Sequence, residues 1–174
     1  ESDLNRLPDN EMFITAVMHA SQIAIRNHQK EKIEALKNAV INSALDNLPE
    51  EDLQLMFLDY IDSFTPLHIK LLNFFYEPKS HEFIIGLNKK LGREGDISQT
   101  VICTLPECLE IIFPELKGKK EIYNRVISDL KSRGMIQSKG LFEVSTQPEP
   151  KVNNIGKLFL LFIMSPDYEK SLIK

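Results

Sequence analysis

Apolar and polar residues alternate at helical spacing in the N-terminal third of the chain. Two apolar series recur every three or four residues; they are Phe13, Val17, Ala20 and Ala24, and then Ile33, Leu36, Val40 and Ala44. On a single helix, the second series would lie about 140–180° around the axis from the first. Either the helix breaks near residues 27–29, with polar residues 26–32 as the corner, or one long helix offers opposite faces to two partners. We favour the break.

Proline and capping residues predict several helix boundaries. The first helix is expected to begin near Pro8. Another helix is expected to begin near Pro49, with Pro49 itself at an early helical position and the three acidic residues after it in the first turn. Thr65 is a suitable N-cap, and Pro66 suits the first position of the next helix, which should end before Pro78.

Three further helices are predicted downstream. They cover residues 81–91, residues 104–113 and residues 119–133. Gly134 is expected in the left-handed conformation that ends the third of these helices. The predicted buried face of that helix comprises Ile122, Val126, Ile127 and Leu130.

The hydrophobic period changes after Gly134. Residues 135–137 and 141–144 are predicted as two short strands joined by a turn, residues 145–154 as a mobile polar loop, and residues 155–164 as a closing helix. Helices followed by a β-hairpin define a winged helix-turn-helix. The sequence therefore predicts a mainly α protein, with a helical N-terminal subdomain over residues 1–64 and a winged-helix-like domain with a small wing over residues 65–174.

Two resemblances accompany this pattern. Residues 129–136 resemble the end of a winged-helix recognition helix entering its wing, and residues 154–160 resemble the element that follows a wing. Nearly the whole chain also resembles a bacterial family called Abi-alpha, through residues 29–40, 59–68, 129–134 and 156–163. That resemblance implies a role in abortive infection or phage exclusion, and it implies no active-site residues.

Charge is distributed unevenly along the chain, whose formal net charge is −4. Residues 1–64 carry 12 acidic and 5 basic side chains, whereas residues 117–139 carry 2 acidic and 7 basic ones. A local basic segment of this kind is typical of a polyanion-binding surface, although the acidic remainder would repel DNA if it lay nearby.

The basic segment supplies the candidate nucleic-acid contacts. They are Lys117, Lys119, Lys120, Asn124, Arg125, Ser128, Lys131 and Lys139. Lysine suits phosphate contacts, while Asn124 and Arg125 suit contacts to base edges. Glu121 and Asp129 oppose such binding, and both have the spacing to pair with Arg125.

Residues 1–64 are acidic, helical and rich in apolar positions. If they form one long helix, one apolar stripe lacks an intramolecular partner and would mark a dimer or partner surface; otherwise they form a helical subdomain packed on the winged helix. We therefore expect a protein partner or self-association. The predicted function is a non-enzymatic interaction or regulatory module, linked by the Abi-alpha resemblance to phage defence. The alternative is a winged-helix DNA-binding transcriptional regulator.

Other chemistry has little support in the sequence. Cys103 and Cys108 lack the further ligands of a zinc site and are expected to be reduced thiols of a cytoplasmic protein. The four histidines are scattered, and we expect His68 to be a capping or surface residue. No glycine-rich phosphate loop occurs. We predict no catalytic residue, metal, cofactor or small-molecule ligand.

Contact with a membrane is not expected from this segment. The longest apolar run, residues 158–164, is far shorter than the roughly 20 residues that span a bilayer. Because residue 1 is Glu rather than Met, the chain is expected to be a piece of a longer protein.

Overall fold

A computed structural model describes residues 10–45, 49–76, 105–137 and 151–166, and the structural statements below concern these residues. They are mainly helical, as predicted. The α-helices are α1 (Glu11–Arg26), α2 (Lys30–Asn42), α3 (Glu51–Ser63), α4 (Pro66–Tyr76), α5 (Leu105–Ile112), α6 (Lys120–Ser132) and α7 (Asn154–Ile163), and a 3-10 helix covers Pro114–Leu116. The predicted helix over residues 81–91 lies outside the described residues.

The predicted break between the first two helices is confirmed. Asn27 leaves helical geometry with φ −117° and ψ 134°, and its Nδ2 donates to the Ile23 carbonyl at 2.9 Å. At the other end of α1, the Asn10 side chain accepts from the Phe13 N–H at 3.0 Å. The expected start near Pro8 lies outside the described residues, and α1 begins at Glu11.

The buried faces of α1 and α2 are rotated from the predicted ones. α1 buries Ala16, Ala20 and Ile23, while Phe13, Val17 and Ala24 lie at the edge of this face. α2 buries Ala35, Leu36 and Ala39, whereas Ile33 is exposed. The cause is that α1 carries apolar residues on every side, so spacing alone cannot select the face. Several of the buried positions are alanines, whose side chains are small.

A polar cluster joins the α1–α2 corner to the end of α3. The buried Lys32 ammonium donates to the Asp62 main-chain carbonyl at 2.6 Å, and Arg26 pairs with the Asp62 carboxylate at 3.0 Å. Burial lowers the pKa of Lys32 below 10.5, Asp62 opposes that shift, and Arg26 reinforces it. A cation at a helix C-terminus also complements the helix dipole.

The predicted start of α4 is correct, whereas the predicted position of Pro49 at the start of α3 is not. Pro49 precedes α3, whose N-cap is Glu50, so the prediction of an early helical position for Pro49 is wrong. The Pro49 carbonyl instead accepts from Gln54 Nε2 at 2.9 Å. α4 begins at Pro66, as predicted, and His68 contacts Thr65 as a capping residue. His68 is buried rather than on the surface.

The chain forms two compact units, one comprising Glu1–Ile69 with Lys157–Lys174 and the other Lys70–Gly156. The domain boundary predicted after residue 64 stays a prediction. Aromatic rings form the centre of the first unit. The ring centroid of Phe159 lies 5.5 Å from that of Phe57 and 5.6 Å from that of Phe64. Edge-to-face pairs at such distances add to the stabilisation that comes from burial.

In the second unit, residues 135–137 pair with residues 151–153 through one antiparallel bridge. Ile136 is opposite Val152, the Gln137 N–H donates to Lys151 O at 2.8 Å, and the Asn153 N–H donates to Met135 O at 2.8 Å. The described residues contain no strand beyond this bridge, so the predicted β-hairpin wing is not shown. Residues 138–150, including the predicted strand 141–144, lie outside the described residues.

The prediction that Val152 belongs to a mobile polar loop is wrong. Val152 is buried, and the N–H of the neighbouring Lys151 donates to the Phe75 carbonyl at the end of α4, at 2.8 Å. A lone valine among polar residues gives no recognisable period, so the pattern could not reveal this pairing.

Two further findings bear on the sequence predictions. Cys108 is disulfide-bonded, so the expectation of two reduced thiols is wrong; Cys103 lies outside the described residues. No helix of the described segments combines the length and the apolar character needed to cross a membrane.

Candidate nucleic-acid interface

Helix α6 carries the candidate surface and is held by one buried face. That face consists of Tyr123, Val126, Ile127 and Leu130, which recur at three and four residues. The prediction was correct for three of these positions and wrong for Ile122, which is 53% exposed. Tyr123 takes its place, because the series 123, 126, 127 and 130 is centred on the buried side while residue 122 lies about 100° away.

Tyr123 lies on the buried face of α6, and the sequence pattern did not identify it. Its ring is fully buried, and burial, together with the nearby Glu110 carboxylate, raises the pKa of its phenol. Its hydroxyl has no hydrogen-bond partner among the described residues. The helical spacing of Tyr123 with Val126 and Leu130 made it a candidate for the buried face, but Ile122 fits a helical period equally well.

The end of α6 is fixed by Gly134, as predicted. Gly134 has a φ of +70°, a conformation that glycine adopts without steric cost. Its N–H donates to Lys131 O at 2.9 Å, and the Met135 N–H donates to Leu130 O at 3.0 Å. These two bonds form a Schellman motif, which satisfies carbonyls that a helix end leaves unpaired. The motif directs the chain into the Ile136–Val152 bridge.

The outward side of α6 exposes most of the predicted contacts. Lys117, Lys119, Lys120, Asn124, Arg125 and Ser128 are exposed, Lys131 is half-buried, and Lys139 lies outside the described residues. No side chain caps the first turn of α6, where Lys119 occupies the N-cap. The lysines therefore add their charge to the positive end of the helix dipole.

Four of these side chains share one open cavity of about 320 Å³. The cavity is lined by Pro106, Lys120, Asn124, Ile127, Ser128 and Lys131. The polar residues of the lining are two lysines, an asparagine and a serine, and no Asp or Glu of the described segments belongs to it. This donor set fits an anionic, oxygen-rich ligand such as a phosphodiester.

The two acidic residues of α6 do not neutralise Arg125. Asp129 instead accepts from Arg133 Nε at 3.1 Å. Arg125 makes no ion pair or side-chain hydrogen bond with the described residues, so the pairing expected with Glu121 and Asp129 is not formed. The guanidinium is thus exposed and available to a ligand.

Positive charge extends to the segment before α6. The pKa of the Glu115 carboxyl is lowered by a hydrogen bond from its own main chain and by Lys70 and Lys119. Lys70 Nζ lies 3.3 Å from Glu115 Oε1. Lys70 is thereby paired, whereas Lys117, Lys119 and Lys120 have no ion-pair partner among the described residues.

Two of the described histidines contact other parts of the chain. His19 pairs with Asp59 at 3.3 Å, and His68 contacts Thr65. No group of three or more His, Cys, Asp or Glu residues capable of holding a metal ion occurs in the described segments.

Comparisons with known proteins add no relative. No family model, no curated protein and no solved structure matches the chain. The Abi-alpha resemblance therefore stays a hypothesis, and the interface must be judged on its own geometry.

Proposed function

We propose that this chain is a non-enzymatic regulatory module that binds duplex nucleic acid through the outward side of α6. The proposed contacts on this side and in the segment just before the helix are called the α6 surface; they are Lys117, Lys119, Lys120, Asn124, Arg125, Ser128 and Lys131. The observation that carries the proposal is the cavity shared by Lys120, Asn124, Ser128 and Lys131, whose polar lining contains no carboxylate among the described residues.

The chemistry of the α6 surface divides into two parts. Lysine ammonium groups hold phosphates irrespective of sequence, and they contribute most of the non-specific affinity. Asn124 and Arg125 present the donors that recognise adenine and guanine edges in a major groove. The 13 residues of α6 span about 20 Å, which suits a helix lying in that groove.

The Abi-alpha resemblance supplies the biological setting of the proposal. It would make the chain a regulator within a phage-exclusion system. That setting is tested separately from binding, by comparing phage plating on cells with and without the gene. An unchanged plating efficiency would contradict the setting and leave the binding proposal intact.

The binding proposal is tested by fluorescence anisotropy with a labelled DNA duplex of about 20 base pairs at low salt. We expect saturable binding by the natural chain and at least about tenfold weaker binding by the K120A/K131A double variant, which corresponds to roughly 1.4 kcal/mol. The control is K30A, which removes one exposed lysine from α2. Absence of binding by the natural chain, or an equal loss of binding in K30A and in K120A/K131A, would refute the proposal.

A further inference from the structure

Helix α1 exposes a continuous apolar face on the side away from its core. Ile14 is 41% exposed, Met18 58% and Ile25 85%, whereas Ala16, Ala20 and Ile23 on the opposite side are buried. Between Ile14 and Ile25, the other exposed positions are Thr15, Ser21 and Gln22, none of which is charged. We call residues 14, 18, 21, 22 and 25 the outer face of α1.

A solvent-facing helix surface normally carries charged side chains, so the outer face of α1 is unusual. Ile14, Met18, Ser21 and Ile25 are spaced by four, three and four residues. This alternation is the spacing that one helix uses to pack along another helix. Exposed apolar surface with this pattern marks a contact between helices rather than a solvated face.

We propose that a second copy of this chain covers the outer face of α1, with the two α1 helices antiparallel. A two-fold axis between Met18 and Ser21 sets Met18 against the partner's Ser21, so that a large side chain meets a small one. The same axis sets Ile14 against the partner's Ile25. The face is therefore complementary to itself, as a symmetric dimer requires.

The charges at the ends of α1 favour the same arrangement. Glu11 lies in its first turn, and Arg26, which also pairs with Asp62 of its own chain, lies in its last. Antiparallel pairing brings the acidic end of each helix to the basic end of its partner, and it also opposes the two helix dipoles. A lipid surface is a poorer match, because membrane-bound amphipathic helices combine an apolar face with many Lys and Arg residues, whereas Arg26 is the one Lys or Arg in α1.

The contact is small. A helix of 16 residues is about 24 Å long, so a single pair of α1 helices buries less than the roughly 800 Å² per partner of a standard interface. Residues 1–64 also carry a net charge of −7, which opposes association until salt screens it. We therefore expect a reversible monomer–dimer equilibrium that strengthens with added salt, the opposite of the trend expected for nucleic-acid binding.

Sedimentation velocity of the full chain over a range of concentrations, at about 0.3 M salt, tests the proposal. We expect the M18K/I25K double variant to raise the dimer dissociation constant by at least about tenfold. The control is I122K, which places one lysine at an exposed isoleucine on α6. A monomer at every concentration, a dimer unaffected by M18K/I25K, or equal loss with I122K would overturn the proposal. So would a monomer that co-sediments with anionic lipid vesicles.

Cross-linking distinguishes the antiparallel arrangement from a parallel one. An oxidised mixture of I14C and I25C chains should form a covalent dimer between the two variants, because the two-fold axis pairs these positions. I14C oxidised alone should remain monomeric. Efficient self-linking of I14C would contradict the antiparallel pairing.

Discussion

Asn42 on α2 caps the end of α7, its Nδ2 amide lying 2.8 Å from the main-chain oxygen of Phe162. The same amide lies 3.0 Å from the Leu161 oxygen and 2.9 Å from that of Met164. One turn earlier on α2, Asn38 Nδ2 donates to Ile163 O at 3.0 Å. A helix leaves its last four carbonyls unpaired, and these two buried asparagines supply the missing donors.

We expect N42A to lower the free energy of unfolding by about 1–3 kcal/mol, because buried carbonyls would lose their donor. N38A removes one hydrogen bond and should cost less. Urea denaturation monitored by circular dichroism measures both values. N124A serves as the control, since Asn124 is exposed on α6. A larger loss in N38A than in N42A would contradict the capping account.

His68 is expected to stabilise the start of α4. Its Nδ1 accepts from the Thr65 N–H at 3.1 Å, and its ring stacks on Phe64 with centroids 4.7 Å apart. Glutamine at this position can accept the same hydrogen bond, as in a capping box. H68A should therefore lower the melting temperature more than H68Q, with about 1 kcal/mol lost in H68A. Equal effects would show that the cap contributes nothing.

Lys32 gives the unfolding free energy a defined dependence on pH. Because burial lowers its pKa in the folded state, the unfolded state binds more protons between that lowered pKa and 10.5. The stability contribution of Lys32 therefore rises as the pH increases through this interval. The natural chain should gain stability relative to K32M as the pH rises toward 10.5 in paired denaturation series. A constant difference between the two proteins would contradict the assignment.

Gly156 is required for close packing at the first turn of α7. A Cβ atom there would overlap the Met135 carbonyl oxygen, a main-chain atom that cannot rotate away. G156A should lower the free energy of unfolding by about 1–3 kcal/mol. The comparison is G118A, where the added methyl meets open space and only the strain of φ +72° is expected. G118A destabilising the chain more than G156A would contradict this packing.

Two helix ends were predicted better than the helix faces, although the position of Pro49 at the start of α3 was not. Thr65-Pro66 and Gly134 act through their own backbone conformations, so they located the start of α4 and the end of α6 correctly. The face of α6 was partly wrong, since Ile122 and Tyr123 both fit a helical period and only tertiary packing decides between them.

Features that depend on distant partners were not predictable. Asn42 and its acceptor in Phe162 are 120 residues apart, and nothing local distinguishes this asparagine from a surface one. The pairing of Val152 with Ile136 is similarly non-local. For the candidate site, the sequence supplied the residues of the α6 surface but could not show that four of them line one cavity.

The salt dependence of duplex binding tests the central proposal most directly. If the natural chain neutralises about four phosphates, a plot of log Kobs against log salt should be linear with a slope of about −3.6. K120A/K131A should reduce the magnitude of that slope by about 2, while K30A leaves it unchanged. Binding that does not vary with salt, or an identical slope in K120A/K131A, would contradict the assignment of the α6 surface to nucleic acid.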